Sequence, residues 1–269
     1  MRCWRGCGGR WGAESFCLVR RLKVLVVELQ VILNTFASDV FRKQADFDYI
    51  AARANFRMQL RQQFLWSAQQ AIEKYLKALL LFNGKSARYP TGQRKEFGHE
   101  LGRLVDEVRT IKVFALDLEP DQEQFIKYLA KQGPNRYIGT TAYNTGEVLR
   151  QLDGTVWHLR RFCQYMPDRG LGSEGAIPGM REAHIRAALS PHHKEQPQRF
   201  SVFAGELEKI VKRPLRDPAR QALVWANLYY GAKRRVRVTY QTFSSFEVPP
   251  SERNWPGVDC ELIEQYVKI

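Results

Sequence analysis

Little in this chain of 269 residues points to an oxidising or membrane setting. Its five cysteines, Cys3, Cys7, Cys17, Cys163 and Cys260, are odd in number and irregular in spacing, so no disulfide framework is expected. Cys3 and Cys7 have no matching Cys/His pair nearby, which argues against a zinc site. No cofactor and no metal are expected. Long apolar runs are also lacking. Leu22–Leu33 comes nearest, with basic residues before it and Thr35-Phe36-Ala37 after it as a loose fit to a leader cleavage site. Lys23, Glu28 and Gln30 interrupt that run, and it is too short to span a bilayer. A cytoplasmic protein without a membrane partner is expected. Acidic residues are scarce: 28 stand against 42 Lys and Arg, a net charge of +14. Such an excess favours nucleic acid, nucleotides or an anionic surface as partners. Segments 1–35, 36–168 and 169–269 carry +4, +5 and +5, so the excess belongs to the whole chain and not to a tail.

What the chain does contain is helical periodicity. In Leu60–Asn83 the residues Leu65, Ala68, Ile72, Leu76, Leu79 and Leu80 form one apolar stripe. Gln62, Gln69, Gln70, Glu73, Lys74 and Lys77 lie mostly off it, and Glu73 precedes Lys77 by four residues, the favourable order for a helix ion pair. Gly84 stands where a left-handed residue ends a helix. Further helices are predicted over Asp39–Arg57, His99–Thr110, Glu119–Gln132 and Thr145–Met166, then over Phe200–Lys212 and Pro218–Tyr230. Asp217 serves the last as N-cap and Gly231 as stop. Arg235–Thr242 alternates as a half-exposed strand does, and Cys260–Ile269 reads as a short final helix. The fold class is therefore mainly α, an up-and-down helical bundle with a C-terminal α extension holding one or two short strands. Residues 1–35 are expected to be disordered or to be translated sequence upstream of the native start. The bundle is expected over 36–168, a Gly-, Pro-, Ser- and His-rich linker over 169–198, and the extension over 199–269.

The run Phe64–Gly84, FLWSAQQAIEKYLKALLLFNG, followed by Gly98-His99-Glu100-Leu101, resembles the HEPN family. Its members carry an A-x-Q-A-I-E-K-x-L-K-A helix, then a loop, then an H-x-L entry to the next helix. Tyr49–Arg53 looks like the family's first helix. The resemblance covers roughly residues 39–166. Gly133–Tyr137 (GPNRY) and Ala222–Gly231 look like a longer subgroup with a C-terminal extension. The resemblance implies a helical bundle that forms a homodimer and binds RNA or a nucleotide. Two alternatives come with it: a metal-independent endoribonuclease of toxin type, and a non-catalytic partner of a nucleotidyltransferase-like protein.

In the ribonuclease members an Arg is followed, after four to six residues, by a His. The His shuttles a proton and the Arg holds the phosphate. By position the match is Arg136, yet Tyr143 stands seven residues on and no His falls in the window. The spacing recurs at Arg94 and His99, and at Arg186 with His192 or His193. Arg94, His99 and Arg136 are thus the catalytic candidates. Nucleic-acid contact is expected from Asn135, Arg136 and Tyr137 in the break between two helices. It is expected also from Lys233, Arg234, Arg235, Arg237 and Tyr240, where cations sit beside aromatic rings as in single-strand binders. Trp157-His158 reads as one core and one surface position.

Overall fold

Why the chain folds as it does is clearest at its longest helix, which every other part of the bundle touches. The structure is a computed structural model that describes residues 29–88, 100–132, 148–164 and 180–231. Its regular elements are all helical. Residues 29–36 are helical and run through a π-helical turn, Ala37–Arg42, into α1, Lys43–Arg57. There follow α2 (Arg61–Phe82), α3 (Leu101–Arg109), α4 (Pro120–Gln132) and α5 (Val148–Arg160). After these come α6 (Met180–Leu189), α7 (Pro191–Glu195), a 3₁₀ turn (Pro197–Arg199), α8 (Glu206–Val211) and α9 (Pro218–Val224). The mainly α bundle is the architecture the periodicity predicts. The predicted strand, Arg235–Thr242, and the final helix, Cys260–Ile269, lie outside the described residues.

Helix α2 packs against α1, α3, α4 and α5, and its predicted stripe is fully buried at Ala68, Ile72, Leu76, Leu79 and Leu80. Because neighbours surround it, burial spreads past the stripe to Gln69 and Glu73. Its end is a Schellman motif. Gly84 takes φ +68° and donates its N–H to Leu81 O (3.0 Å), and Lys85 donates to Leu80 O (2.9 Å). Helix α4 begins at Pro120, and the Gln122 side chain reaches back to accept from Glu119 N–H (3.1 Å), half of a capping box. Asp217 caps α9 by accepting from Arg220 N–H (2.9 Å).

Two expectations are corrected. The stretch expected as a linker over 169–198 is helical from Met180 to Leu189 and again at Pro191–Glu195. Gly and Pro are concentrated in its first ten residues, whereas MREAHIRAAL consists of residues that lose little on entering a helix, apart from Ile and His. The helix predicted over Phe200–Lys212 shrinks to Glu206–Val211. Ala204 has φ +53°, outside helical space, and Gly205 follows in an extended conformation.

The start of α8 is capped from a distance. Asp46 on α1 accepts from Glu206 N–H (3.0 Å) and Leu207 N–H (3.3 Å) through one carboxylate oxygen. The same carboxylate receives Arg160 of α5 through Nε (2.7 Å) and Nη2 (2.9 Å), and the Tyr75 hydroxyl of α2 (2.6 Å). Arg160 also reaches both oxygens of Glu208 on α8 (2.7 and 2.6 Å). A Cβ on Gly205 would overlap the ends of the Glu208 and Arg160 side chains, so any larger residue there would push their ion pair aside. A second link lies about two turns along α1. Arg53 donates to Asp153 on α5, to Ala222 O (2.9 Å) and to Trp225 O beyond α9. Tyr49 donates to Asp153 (2.6 Å) and accepts from Asn227 (2.9 Å).

Asp46 is fully buried, as is its partner Arg160. Asp46→Ala should destabilise the fold by about 3–5 kcal/mol, because it breaks the buried ion pair with Arg160, leaving Glu208 as its one carboxylate, and also strips the cap from α8 and the acceptor from Tyr75. Urea unfolding measures the loss. Limited proteolysis should show the α8 region cleaved first in the variant.

Candidate functional site

Helix α5 is the element where charge is placed most unusually. Apart from Arg150, every residue from Val148 to Cys163 is buried, since α4 covers one side and the 197–230 segment another. Gln122 of α4 donates to Gly154 O (3.4 Å), and the Trp157 indole donates to Pro197 O (3.2 Å). Trp157 and His158 are thus both interior. The surface position expected of the pair is lost because sequence periodicity shows one packed face, and here the chain's own later helices cover the rest.

Most buried ions of this region are paired, and their protonation follows. Burial would lower the pKa of Arg160, but Asp46 with Tyr230 and Glu208 outweighs it and raises the value well above normal. Burial would likewise raise Glu208, yet Arg160 holds its carboxyl below the usual range. Burial pushes the Asp153 carboxyl up against the pull of Arg53, consistent with its geometry: one oxygen serves both Tyr49 and Arg53, while Oδ2 has no partner among the described residues.

Arg161 is the exception. It is 2% exposed, and its Nε and Nη1 have no hydrogen-bond partner among the described residues. Its guanidinium lies 4.8 Å from the ring centroids of Trp157 and Phe162, and Nη2 stands 3.4 Å from His158 Nδ1. Burial lowers its pKa to about 10, against the pull of Glu119 and Asp117. Burial, then Arg161 and Lys194, pushes His158 down to about 3. A guanidinium with unused donors between aromatic faces can hold a phosphate or carboxylate. A histidine held neutral this strongly is too weak a base to shuttle protons near pH 7. The sequence signal for this cluster is WHLRRF, two arginines amid apolar positions of a helix.

A groove of about 630 Å³ lies nearby, lined by Val113, Glu182, Ile185, Arg186, Leu189, Ser190 and Pro191. Of the Arg/His spacings, Arg186 with His192 or His193 falls within the described residues. Arg186 lines the groove, but the histidines are engaged elsewhere. His193 Nδ1 is 2.8 Å from Ala187 O, and His192 Nε2 is 3.5 Å from Arg199 Nη1. Arg94, His99, Asn135, Arg136, Tyr137, Lys233, Arg234, Arg235, Arg237 and Tyr240 all lie outside the described residues. No helix among the described residues is long and apolar enough to cross a membrane.

Residues 38–139 match the model of the HEPN domain, a stretch that takes in α1 to α4. No curated protein and no solved structure matches the chain.

For His158 the folded pKa lies below the unfolded value near 6.5, so the unfolded chain binds more protons between the two. Stability should therefore fall as pH drops from 6.5 toward 3, by up to about 1.4 kcal/mol per pH unit. In His158→Gln that one-proton slope should vanish. Urea midpoints of wild type and variant across this range measure the difference.

Proposed function

We propose, with the HEPN domain of residues 38–139 as premise, that this chain is a binding module for RNA or a nucleotide. The observation that carries the reading is where the charge resides. Four buried arginines (Arg42, Arg53, Arg160, Arg161) stand against three buried carboxylates (Asp46, Glu73, Asp153) among the described residues. That core accounts for one unit of the net +14, and the rest is carried elsewhere in the chain. A surface of that sign attracts phosphate and releases counterions on contact. Asn135, Arg136 and Tyr137 are the proposed contacts in the inter-helix break. Lys233, Arg234, Arg235, Arg237 and Tyr240 are proposed to follow a single strand, the cations on phosphates and the ring on a base.

Binding is favoured over cleavage on chemical grounds. Cleavage without a metal needs a histidine that titrates near neutrality beside an arginine. Tyr143 occupies the window that follows Arg136, and His158 is held neutral by burial. Arg94 with His99 is the remaining proposed pair for the hydrolytic alternative. A non-catalytic role beside a nucleotidyltransferase-like protein is compatible with the same binding surface.

Fluorescence anisotropy with a short single-stranded RNA, and with ATP, tests the proposal. If four cations contact phosphates, RNA affinity should fall roughly fifty-fold between about 50 and 200 mM salt. Replacing Lys233, Arg234, Arg235 and Arg237 with Ala should flatten that dependence. Absence of binding to either ligand at low salt would sink the proposal. RNA cleavage in EDTA that is abolished by His99→Ala would replace it with the hydrolytic reading.

A further inference from the structure

Arg161 differs from the other buried arginines in that nothing neutralises it. Arg42, Arg53 and Arg160 each direct donors at carbonyl or carboxylate oxygens. Arg161 follows the last residue of α5 and forms one layer of a stack. Its guanidinium lies 4.8 Å from the ring centroids of Trp157 and Phe162, and Phe162 stacks in turn on Phe114 at 4.3 Å. Nη2 is 3.4 and 3.5 Å from the two ring nitrogens of His158, so it is shared between them and aligned with neither. Nε and Nη1 have no partner among the described residues. Glu119 and Asp117 attract the guanidinium from a distance, and neither forms an ion pair with it. A cation buried in this state is costly unless an anion joins it.

We infer that Arg161 is the anion-binding residue of a small-molecule site beneath α7, and that the ligand is a phosphorylated molecule with an apolar body. A phosphoryl group suits the unused donors, since several equivalent oxygens can meet N–H groups on more than one edge of the planar fork. Arg186 and Lys194 are exposed and in no ion pair among the described residues, and they add positive charge for a dianion. The apolar body fits the groove of about 630 Å³, a small-ligand volume lined in part by Val113, Ile185, Leu189 and Pro191. Both walls of the groove border the arginine. Val113 on one wall precedes Phe114, the outer ring of the stack. Ser190 and Pro191 on the other begin α7, whose Lys194 is near enough to His158 to depress its pKa.

Entry is by way of α7. The 190–200 segment lies over the Trp157–His158 side of the stack. Pro197 O accepts from the Trp157 indole (3.2 Å), Phe200 packs edge-on against Trp157, and His193 packs edge-on against Phe200. Helix α7 itself is weakly held. None of its five residues is buried, and its N-cap, Ser190, makes no side-chain capping bond. An element with so little buried surface opens at low cost, so the 2% exposure of Arg161 belongs to the closed state.

Arg161 and α7 lie outside the HEPN match at residues 38–139 and outside the RNA contacts proposed above, so the site stands or falls separately from them. Melting of the full chain is followed with phenyl phosphate, inorganic phosphate and benzoate. Phenyl phosphate at about ten times its Kd should raise the wild-type Tm by about 3–5 °C. Inorganic phosphate, without the apolar body, should bind at least about tenfold more weakly, and benzoate, a planar monoanion, should also bind more weakly than phenyl phosphate. Arg161→Met keeps the stem and removes the unpaired charge. It should melt higher than wild type without ligand and bind phenyl phosphate at least about thirty-fold more weakly. Amide exchange over residues 190–196 should slow when phenyl phosphate binds to the wild type, a readout that needs no variant. A wild type indifferent to all three probes, exchange over 190–196 unchanged by phenyl phosphate, or equal affinity for phosphate with and without the phenyl group would overturn the assignment. So would tighter binding of benzoate, or an Arg161→Met variant that binds as well as wild type or melts below it.

Discussion

The Asp46 carboxylate is the point on which the arrangement of the chain depends. It accepts from a tyrosine of α2, a guanidinium of α5 and two backbone N–H groups at the head of α8. Four helices, with partners up to 161 residues apart in sequence, meet on two oxygen atoms. A buried ion pair of this kind gains little over apolar residues of the same volume, because desolvation offsets most of the attraction. Its effect here is on register. Only one docking of the 200–211 segment points the free N–H groups of Glu206 and Leu207 at Asp46 while Glu208 meets Arg160. Any slide along α1 would leave a charge or a helix end unpaired in the interior.

That constraint explains why the chain after residue 180 is packed as part of the bundle. Arg53 repeats the device by donating to carbonyl oxygens at Ala222 and Trp225, and Asn227 ties the following turn to Tyr49. Between them, Asp46 and Arg53 fix both ends of the α8–α9 unit to a single helix. Helix α5 is buried on all sides as a consequence, and His158 and Arg161 are carried into the interior with it. Their lowered pKa values follow from the docking of the later helices and not from any feature of α5 alone.

The parts of this fold that were legible in sequence are those governed by neighbours within about four residues. The α2 stripe, the left-handed Gly84, the Asp217 cap and the Pro120 start each follow from local spacing and backbone chemistry. The cap on α8 could not be read, since its donor and acceptor lie in segments with no local relation. The same holds for Arg53 and Arg160, which as single residues in helical sequence look like solvated charges. In the linker, glycine and proline up to Gly179 concealed the helix-forming run that begins at Met180. The resemblance carried by Phe64–Gly84 identified the domain because that helix is the bundle's centre, and its residues are constrained on every side. The residues proposed to touch a ligand, such as Arg136 and Lys233, were singled out by motif and charge and not by a packed face. Periodicity therefore says nothing about them, and only motif spacing and charge bear on their role.

The π turn at Ala37–Arg42 joins the two roles of the first helix. A π turn takes in more residues per turn than an α-helix, and so shifts the phase of the side chains that follow it. Within the turn, Ala37 and Arg42 face the core, where Arg42 donates to Cys163 O (3.0 Å) beside α5. Phe36 and Val40 are left outward in line with Leu29 before the turn and Phe47 after it. An uninterrupted α-helix steps 400° over four residues and would rotate Val40 away from Phe36 by about 40°. The wider turn reduces that drift. Burial of Arg42 costs desolvation, which lowers its pKa, and its bonds to Cys163 and Ser38 offset part of that cost. The turn is thus the local solution that brings Arg42 to the Cys163 carbonyl while Phe36 and Val40 stay outward.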